Sequence, residues 1–166
     1  INESGDITGT KWRANEQLIN RDLSSSPRLI LTMGDAGDGP EGVELAWDNL
    51  TADQKADLGS GGGADAAALG EERLKYLSGE DVEGYDGTVF RNRTFDGERW
   101  LMGPIVNSSP QYVGIPGKNW PNTDPFGAEG KRYSAFRDNK ENRDAVVYVG
   151  ANDGMLHGFD AETGNE

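Results

Sequence analysis

The chain has 166 residues, a length that suits one domain or one domain with an appendage, and its 24 glycines and 34% hydrophobic content predict a loop-rich structure with a modest core. The formal net charge of −13 repels phosphates, which argues against nucleic acid and anionic lipid as partners. The chain has no cysteine and one histidine, so disulfides and thiolate sites are excluded and histidine-based zinc sites are disfavoured.

The first recognisable elements are two short strands on either side of an acidic loop. The apolar run Pro27–Thr32 predicts a strand, and the alternating residues Val43–Trp47 predict a second, half-buried one. Between them, Met33–Gly42 consists of turn formers and acids and predicts a loop.

Calcium is the one metal that this composition suits, because it takes six to eight oxygen ligands. The acidic loop holds three carboxylates that are weak candidate ligands: Asp35, Asp38 and Glu41. They lack the alternating spacing that lets successive side chains converge on one ion, so a plain acidic turn is the alternative interpretation.

Two helices are predicted next. Thr51 lies three residues before Gln54, which is the spacing of a capping box, and predicts a helix over Ala52–Leu58. Leucines at near-helical spacing predict a second helix over Ala66–Leu77, ended by Gly79. The glycine-rich run between the helices follows a helix instead of a strand, so it predicts a flexible break and no dinucleotide loop.

From Leu101 onward the pattern changes to short strands separated by turn residues. Strands are predicted over Gln111–Ile115, Ala145–Gly150 and Met155–Asp160, with a long polar connection over Pro116–Asn142. We therefore predict a mixed α+β lead-in over residues 1–104 and a β region over residues 105–166.

The sole histidine, His157, is the only imidazole that a Ser-His-Asp site could use. It lies in a predicted strand where it alternates with Met155 and Phe159, which favours a packed or hydrogen-bonded structural role. No G-x-S-x-G elbow is present, and a P-loop also fails on its spacing. The sequence therefore predicts no enzyme and no cofactor in this chain.

The most informative stretch runs from Val146 to Gly164. It predicts two strands joined at Asn152-Asp153-Gly154, because Asp-Gly supplies the positive φ of a tight hairpin turn. A second turn follows at Glu162-Thr163-Gly164. A strand, a D-G turn, a strand and a T-G turn are typical of one β-propeller blade.

This stretch, together with Ile105–Gly114, closely resembles the start of the propeller in the PilC/PilY family of type IV pilus biogenesis factors. Agreement is looser over Arg28–Thr32, Leu45–Trp47, Gln54 and Arg73–Leu77. The residues that carry the resemblance are Asn107, Ser108, Ser109, Pro110, Asn152, Asp153, Gly154, His157 and Asp160.

The chain departs from the family pattern at two places. Pro104 stands where the family has an acidic residue, and Ser78-Gly79-Glu80 replaces an R-G-D-like run. The calcium loop known from some members matches no residue here, so the resemblance allows calcium only in the parent protein.

The resemblance implies a mainly β fold with an α+β lead-in, in which a partial β-propeller opens but does not close. It implies an exported protein at the cell surface, outer membrane or pilus tip of a Gram-negative bacterium, acting in pilus assembly, control of retraction and adhesion. Its partners would be the rest of its own propeller and minor pilins, with host surface receptors as a further class. Because the chain opens at Ile1, we expect a fragment of a longer protein.

The rival interpretation is a propeller fragment of a quinoprotein (PQQ-type) dehydrogenase. Blades of that family share the Y-V-G, D-G, D-A and T-G rhythm, so the rhythm alone discriminates weakly. The N-S-S-P motif and the run from Gly150 to Asp160 favour the pilus family.

Overall fold

The structure is a computed structural model that describes residues 4, 8–35, 39–82, 90–123, 127 and 131–166. The chain divides into two compact units, which we call the sheet unit (residues 1–19 and 102–166) and the helical unit (residues 20–101). The predicted division at residue 104 between a lead-in and a propeller stays a prediction.

The helical unit is built around two packed helices whose predicted positions are confirmed. Helix α2 spans Ala52–Leu58, and α3 spans Ala66–Ser78. Thr51 and Gln54 form the capping box: the Gln54 amide donates to Thr51 Oγ1 at 3.2 Å, and the Thr51 amide donates to Gln54 Oε1 at 2.9 Å. Gly79 ends α3 with φ +94°, in the left-handed region that favours glycine.

The strands of the helical unit lie elsewhere than predicted. Strand β1 spans Leu31–Asp35 and pairs antiparallel with β2, Pro40–Glu44, so the ends of the predicted loop Met33–Gly42 are strand. The prediction of strands over Pro27–Thr32 and Val43–Trp47 is therefore wrong by several residues. The positions of these strands are set by their pairing as a hairpin. Strand propensity does not predict them, because the Gly and Asp residues of this stretch have low propensity for strands.

Another hairpin in this unit was not predicted. Strands β3 (Thr94–Phe95) and β4 (Glu98–Arg99) are joined by Asp96 and Gly97, whose φ values are +53° and +77°. Positive φ at both central residues is the requirement of the tight turn that Asp-Gly favours, so the D-G signal was present in the sequence.

The sheet unit contains a three-stranded antiparallel sheet in the order β5-β6-β7. These strands span Gln111–Val113, Val146–Gly150 and Leu156–Asp160, so the predicted strands and their hairpin are confirmed with slightly shorter bounds. Two short helices were not predicted: α1 (Ala14–Asn20) and α4 (Tyr133–Asn139), the latter within the polar connection.

The core of the sheet unit lies on one face of β6 and β7. Phe159 and Leu18 are each 1% exposed, His157 2% and Val149 4%. Trp12 lies over this region: its ring centroid is 5.9 Å from that of Phe159, and its Nε1 donates to the carbonyl of Ala161 at 3.2 Å. The segment before α1 therefore covers the end of β7.

Helices and strands contribute comparably to the described residues, so the prediction of a mainly β chain overstates the strand content. No sheet among them closes on itself. Within the same ranges, no helix has both the length and the apolar character needed to cross a membrane.

Two glycines with positive φ give a matched test of how Trp12 packs. Gly164 has φ +76°, and a Cβ there would lie 2.5 Å from the Trp12 ring, whereas a Cβ at Gly154 (φ +87°) would meet nothing within 4 Å. We expect Gly154→Ala to lower the free energy of unfolding by about 1 kcal/mol, through its backbone conformation alone. Gly164→Ala adds a steric clash and should cost ~2 kcal/mol or more.

Urea denaturation followed by circular dichroism would measure both costs. In a Trp12→Ala background, the cost of Gly164→Ala should fall to that of Gly154→Ala, because the clashing ring is gone. Equal costs in the unaltered chain would show that Trp12 does not press on Gly164.

Candidate functional site

The hairpin between β6 and β7 brings most of the motif residues together. Gly154 takes the positive φ of the turn, and its amide donates to the carbonyl of Ala151 at 3.2 Å. Asp153 Oδ1 accepts a hydrogen bond from the Met155 amide at 3.0 Å, so a side-chain hydrogen bond also closes the turn. The local sequence thus specifies the turn through one glycine and one carboxylate.

The same turn binds the segment that leads into the sheet unit. The Gly103 amide donates to Asp153 Oδ2 at 2.7 Å, and the Asn152 amide donates to the carbonyl of Pro104 at 3.1 Å. A Cβ at Gly103 would lie 2.5 Å from the Asp153 nitrogen, so only glycine permits this approach. Pro104, a departure from the family pattern, contributes a carbonyl, which proline retains.

His157 lies between two carboxylates. Its Nε2 is 3.0 Å from Asp153 Oδ2, and its Nδ1 is 2.5 Å from Glu166 Oε1. An imidazole can donate from both nitrogens only when it is protonated, and carboxylates are acceptors. The geometry therefore fits an imidazolium that links the hairpin turn, strand β7 and Glu166.

The pKa shifts agree with this charge assignment. Burial opposes the charged imidazole, but the hydrogen bond to Glu166 and the charge of Asp153 outweigh it and raise the pKa of His157. Burial likewise opposes the charged carboxylate of Asp153, but hydrogen bonds from the Gly103 and Met155 amides outweigh it and lower its pKa.

A second carboxylate organises the turn after β7. Asp160 Oδ1 accepts hydrogen bonds from the Thr163 amide and hydroxyl, each at 2.7 Å, and from the Glu162 amide at 3.1 Å. These bonds, with that of the Thr163 hydroxyl foremost, lower the pKa of Asp160. Asp160 is therefore a turn-forming residue in this structure.

The N-S-S-P motif lies beside the end of β6 that leads into the hairpin turn. Ser108 Oγ accepts a hydrogen bond from the Gly150 amide at 3.1 Å, at the end of β6. Its neighbours Asn107, Ser109 and Pro110 are exposed and lead into β5. The motif thus positions β5 through one hydroxyl.

The acidic loop belongs to the helical unit. Asp35 ends β1 and Glu41 lies in β2 opposite Gly34, while Asp38 lies outside the described residues. Among the residues that the structure describes, no group of three or more His, Asp and Glu side chains could hold a metal ion. Asp153 and Glu166 bind opposite nitrogens of the His157 ring, so their oxygens do not converge on one point.

Sequence reasoning placed His157, Asp153 and Asp160 but missed three contributors. Gly103, Trp12 and Glu166 act across sequence separations of 50, 149 and 9 residues. The strand alternation gave no indication of which residue contacts which. Only the burial of a lone polar ring on the core face implied that His157 needed partners.

The contacts of His157 give stability a defined pH dependence. Because the folded-state pKa is raised above the ordinary 6.5, this stabilisation is complete below pH 6.5 and is lost as the pH rises through the folded pKa. We expect urea midpoints measured from pH 6 to pH 9 to fall for the unaltered chain. His157→Gln, which cannot titrate, should remove that fall.

His157 is the only histidine, so the difference between the two curves isolates this side chain. A parallel fall in His157→Gln would contradict the assignment.

The comparisons with known proteins agree on one family. The family model of the PilY1 beta-propeller domain matches residues 102–166. A type IV pilus biogenesis factor PilY1 homolog of Xylella fastidiosa is 44% identical over 114 residues, which are 68% of this chain and 8% of that protein.

Type IV pilus biogenesis factor PilY1 of Pseudomonas aeruginosa strain PAK is 38% identical over 158 residues, 93% of this chain and 13% of that protein. That of strain UCBPP-PA14 is 31% identical over 166 residues, 98% of this chain and 13% of that protein. No solved structure matches the chain. The chain thus spans 8–13% of the length of these relatives. The resemblance seen in the sequence is confirmed: residues 102–166 match the PilY1 beta-propeller domain, and the relatives are named as type IV pilus biogenesis factors.

Proposed function

We propose that this chain is part of an exported type IV pilus protein that acts by binding other proteins and catalyses no reaction. The observation that carries the proposal is the match of residues 102–166 to the PilY1 beta-propeller domain, supported by relatives named as type IV pilus biogenesis factors. A protein related to such factors would work at the pilus or cell surface of a Gram-negative bacterium.

The chemistry of the hairpin supports binding over catalysis. Both ring nitrogens of His157 contact carboxylates, so neither is available to take a proton from a nucleophile. The ring is also 2% exposed, which keeps substrates away from it. Asp153 is similarly occupied, since its two oxygens accept amides that shape the turn.

The sheet offers surfaces for partner proteins. All three residues of β5, Gln111–Val113, are exposed, and Tyr112 is 69% exposed. An open strand edge beside exposed apolar side chains favours pairing with other strands. The first partner we propose is the rest of the propeller of the parent protein, which would make the sheet unit an opening blade.

Minor pilins are the second class of partner, and host surface receptors are the third. The net charge of −13 favours partners with basic surfaces and speeds their approach. We propose no cofactor for this chain. Any calcium site would belong to other parts of the parent protein, since the acidic loop lacks the alternating carboxylate spacing that lets side chains converge on one ion.

The function is tested in the source bacterium by removing the gene segment for residues 102–166 from the parent protein. We expect fewer surface pili, because the proposed contacts with the pilus tip are lost. A Lys140→Ala replacement, which changes one exposed side chain, is the matched control and should leave pilus number unchanged.

Repeating the count in cells whose pilus retraction is blocked separates two roles. Recovery of pilus number there would assign the protein to control of retraction, and continued loss would assign it to assembly. An unchanged number of pili in retraction-competent cells would overturn the proposal.

The dehydrogenase alternative predicts a bound quinone. We expect acid extraction of the purified parent protein to release no stoichiometric quinone, and we expect no quinone-dependent oxidation of alcohols. Recovery of one quinone per protein would favour the dehydrogenase instead.

A further inference from the structure

Strand β1 exposes apolar side chains on one face. Leu31 and Met33 are 65% and 58% exposed, and Leu29, two residues before the strand, is 73% exposed. Successive side chains of a strand point to opposite faces, so these three residues, at two-residue spacing, lie on the same face. We call them the β1 stripe. They are unusual, because an antiparallel hairpin with one packed face normally carries polar side chains on the other.

The opposite face of the hairpin is the one that packs into the helical unit. Thr32 is half-buried and Gly34 is buried. A Cβ at Gly34 would lie 2.7 Å from Val43 Cγ2 and 3.3 Å from the carbonyl of Asn49, so this face is filled there. The β1 stripe is therefore not part of the core of this unit. Neighbouring apolar side chains that stay exposed mark an interaction site.

The edge of β1 is partly closed to the addition of another strand. The Leu45 amide donates to the carbonyl of Ile30 at 2.8 Å, so the peptide groups of Ile30 face β2. Because these directions alternate along a strand, the peptide groups of Met33 face away from β2. The Met33 carbonyl on this outer edge accepts a hydrogen bond from Gln54 Nε2 at 2.9 Å. A partner strand would have to displace Gln54, whereas a partner on the exposed face would displace no hydrogen bond of the edge.

The charges around the β1 stripe select the chemistry of its partner. Residues 29–54 contain six acidic residues and no lysine or arginine. Glu44 is exposed and lies directly opposite Leu31 in the register of the hairpin, so its carboxylate flanks the stripe. Basic side chains beside an apolar face would complement this surface, whereas two copies of the stripe would bring like charges together. The same acidic surroundings repel anionic lipid.

We propose that the β1 stripe is the docking site for an amphipathic helix of a partner protein, with large aliphatic side chains on one face of the helix and basic residues along its flanks. The stripe is about 13 Å long, which equals about two and a half turns of helix, so the apolar residues of three turns cover it. The stripe lies outside residues 102–166, and this inference does not depend on the propeller match or on a role in the pilus.

Fluorescence anisotropy with a designed peptide tests the proposal on the 166-residue chain and on the full-length parent protein. The probe is a labelled helix of about 18 residues made of leucine and lysine, with the leucines on one face. We expect saturable binding at physiological salt, and we expect Leu31→Ser to weaken it at least about tenfold, because a leucine no longer covers the peptide. Phe95→Ser is the matched control. Phe95 is 75% exposed but lies in the β3–β4 hairpin, so its loss should change the affinity less than about twofold.

The electrostatic part of the proposal is tested by removing one charge at a time. Glu44→Gln should weaken binding about threefold and make it less sensitive to salt, whereas Glu98→Gln, an exposed position in β4, should do neither. A peptide of the same composition with its leucines spread around the helix should bind at least about tenfold more weakly. The replaced side chains are exposed, so each variant should melt within about 2 °C of the unaltered chain, which verifies folding.

Four results would each overturn the proposal. Equal affinity of the unaltered chain and of Leu31→Ser would show that the peptide binds elsewhere by charge alone. Tighter binding of a peptide in which leucine and lysine alternate would assign the stripe to an extended strand. A dimer in sedimentation that Leu31→Ser dissociates would assign it to a second copy of the chain. Binding to the 166-residue chain but not to the full-length protein would assign it to another part of the parent.

Discussion

The sheet unit depends on the buried imidazolium of His157. Its two carboxylate partners come from the turn before β7 and from the segment after it, so one ring fixes both ends of the strand. Asp153 extends this network to Gly103, 50 residues earlier in the chain. Taking the charges out of water is costly, and removing one partner of such a buried pair typically costs about 3–5 kcal/mol. The network therefore joins three segments at one buried ring, and loss of one partner would leave an uncompensated charge there.

This arrangement explains why the sole histidine is structural. A catalytic imidazole needs one nitrogen to receive a proton and the other to be oriented. His157 meets acceptors at both nitrogens, and these contacts raise its pKa, which favours the charged form of the ring. A charged ring is a poor general base. The residues that stabilise the protonated ring in the core are thus the same ones that occupy both of its nitrogens.

Local signals predicted the parts of the fold that they themselves determine. The capping box of α2, the glycine that ends α3 and the Asp-Gly turn between β6 and β7 each depend on residues within one turn of chain, and all three were predicted correctly. The β1–β2 hairpin was misplaced because its strands contain Gly34, Asp35, Pro40 and Gly42, which have low strand propensity, and are held by pairing. The candidate site was predicted only as a set of motif residues. The contacts that join these residues to Gly103 and Glu166 depend on the tertiary fold, which local sequence patterns do not report.

The face and the edge of strand β7 are buried to different extents. Trp12 packs on Phe159 and binds the turn that follows, so the face and one end of the strand are already enclosed. Leu156 at the other end is 72% exposed. Along the edge of β7 that is remote from β6, the backbone amides point away from the sheet. A strand that is closed on its face and open along its edge can be extended without unpacking its core.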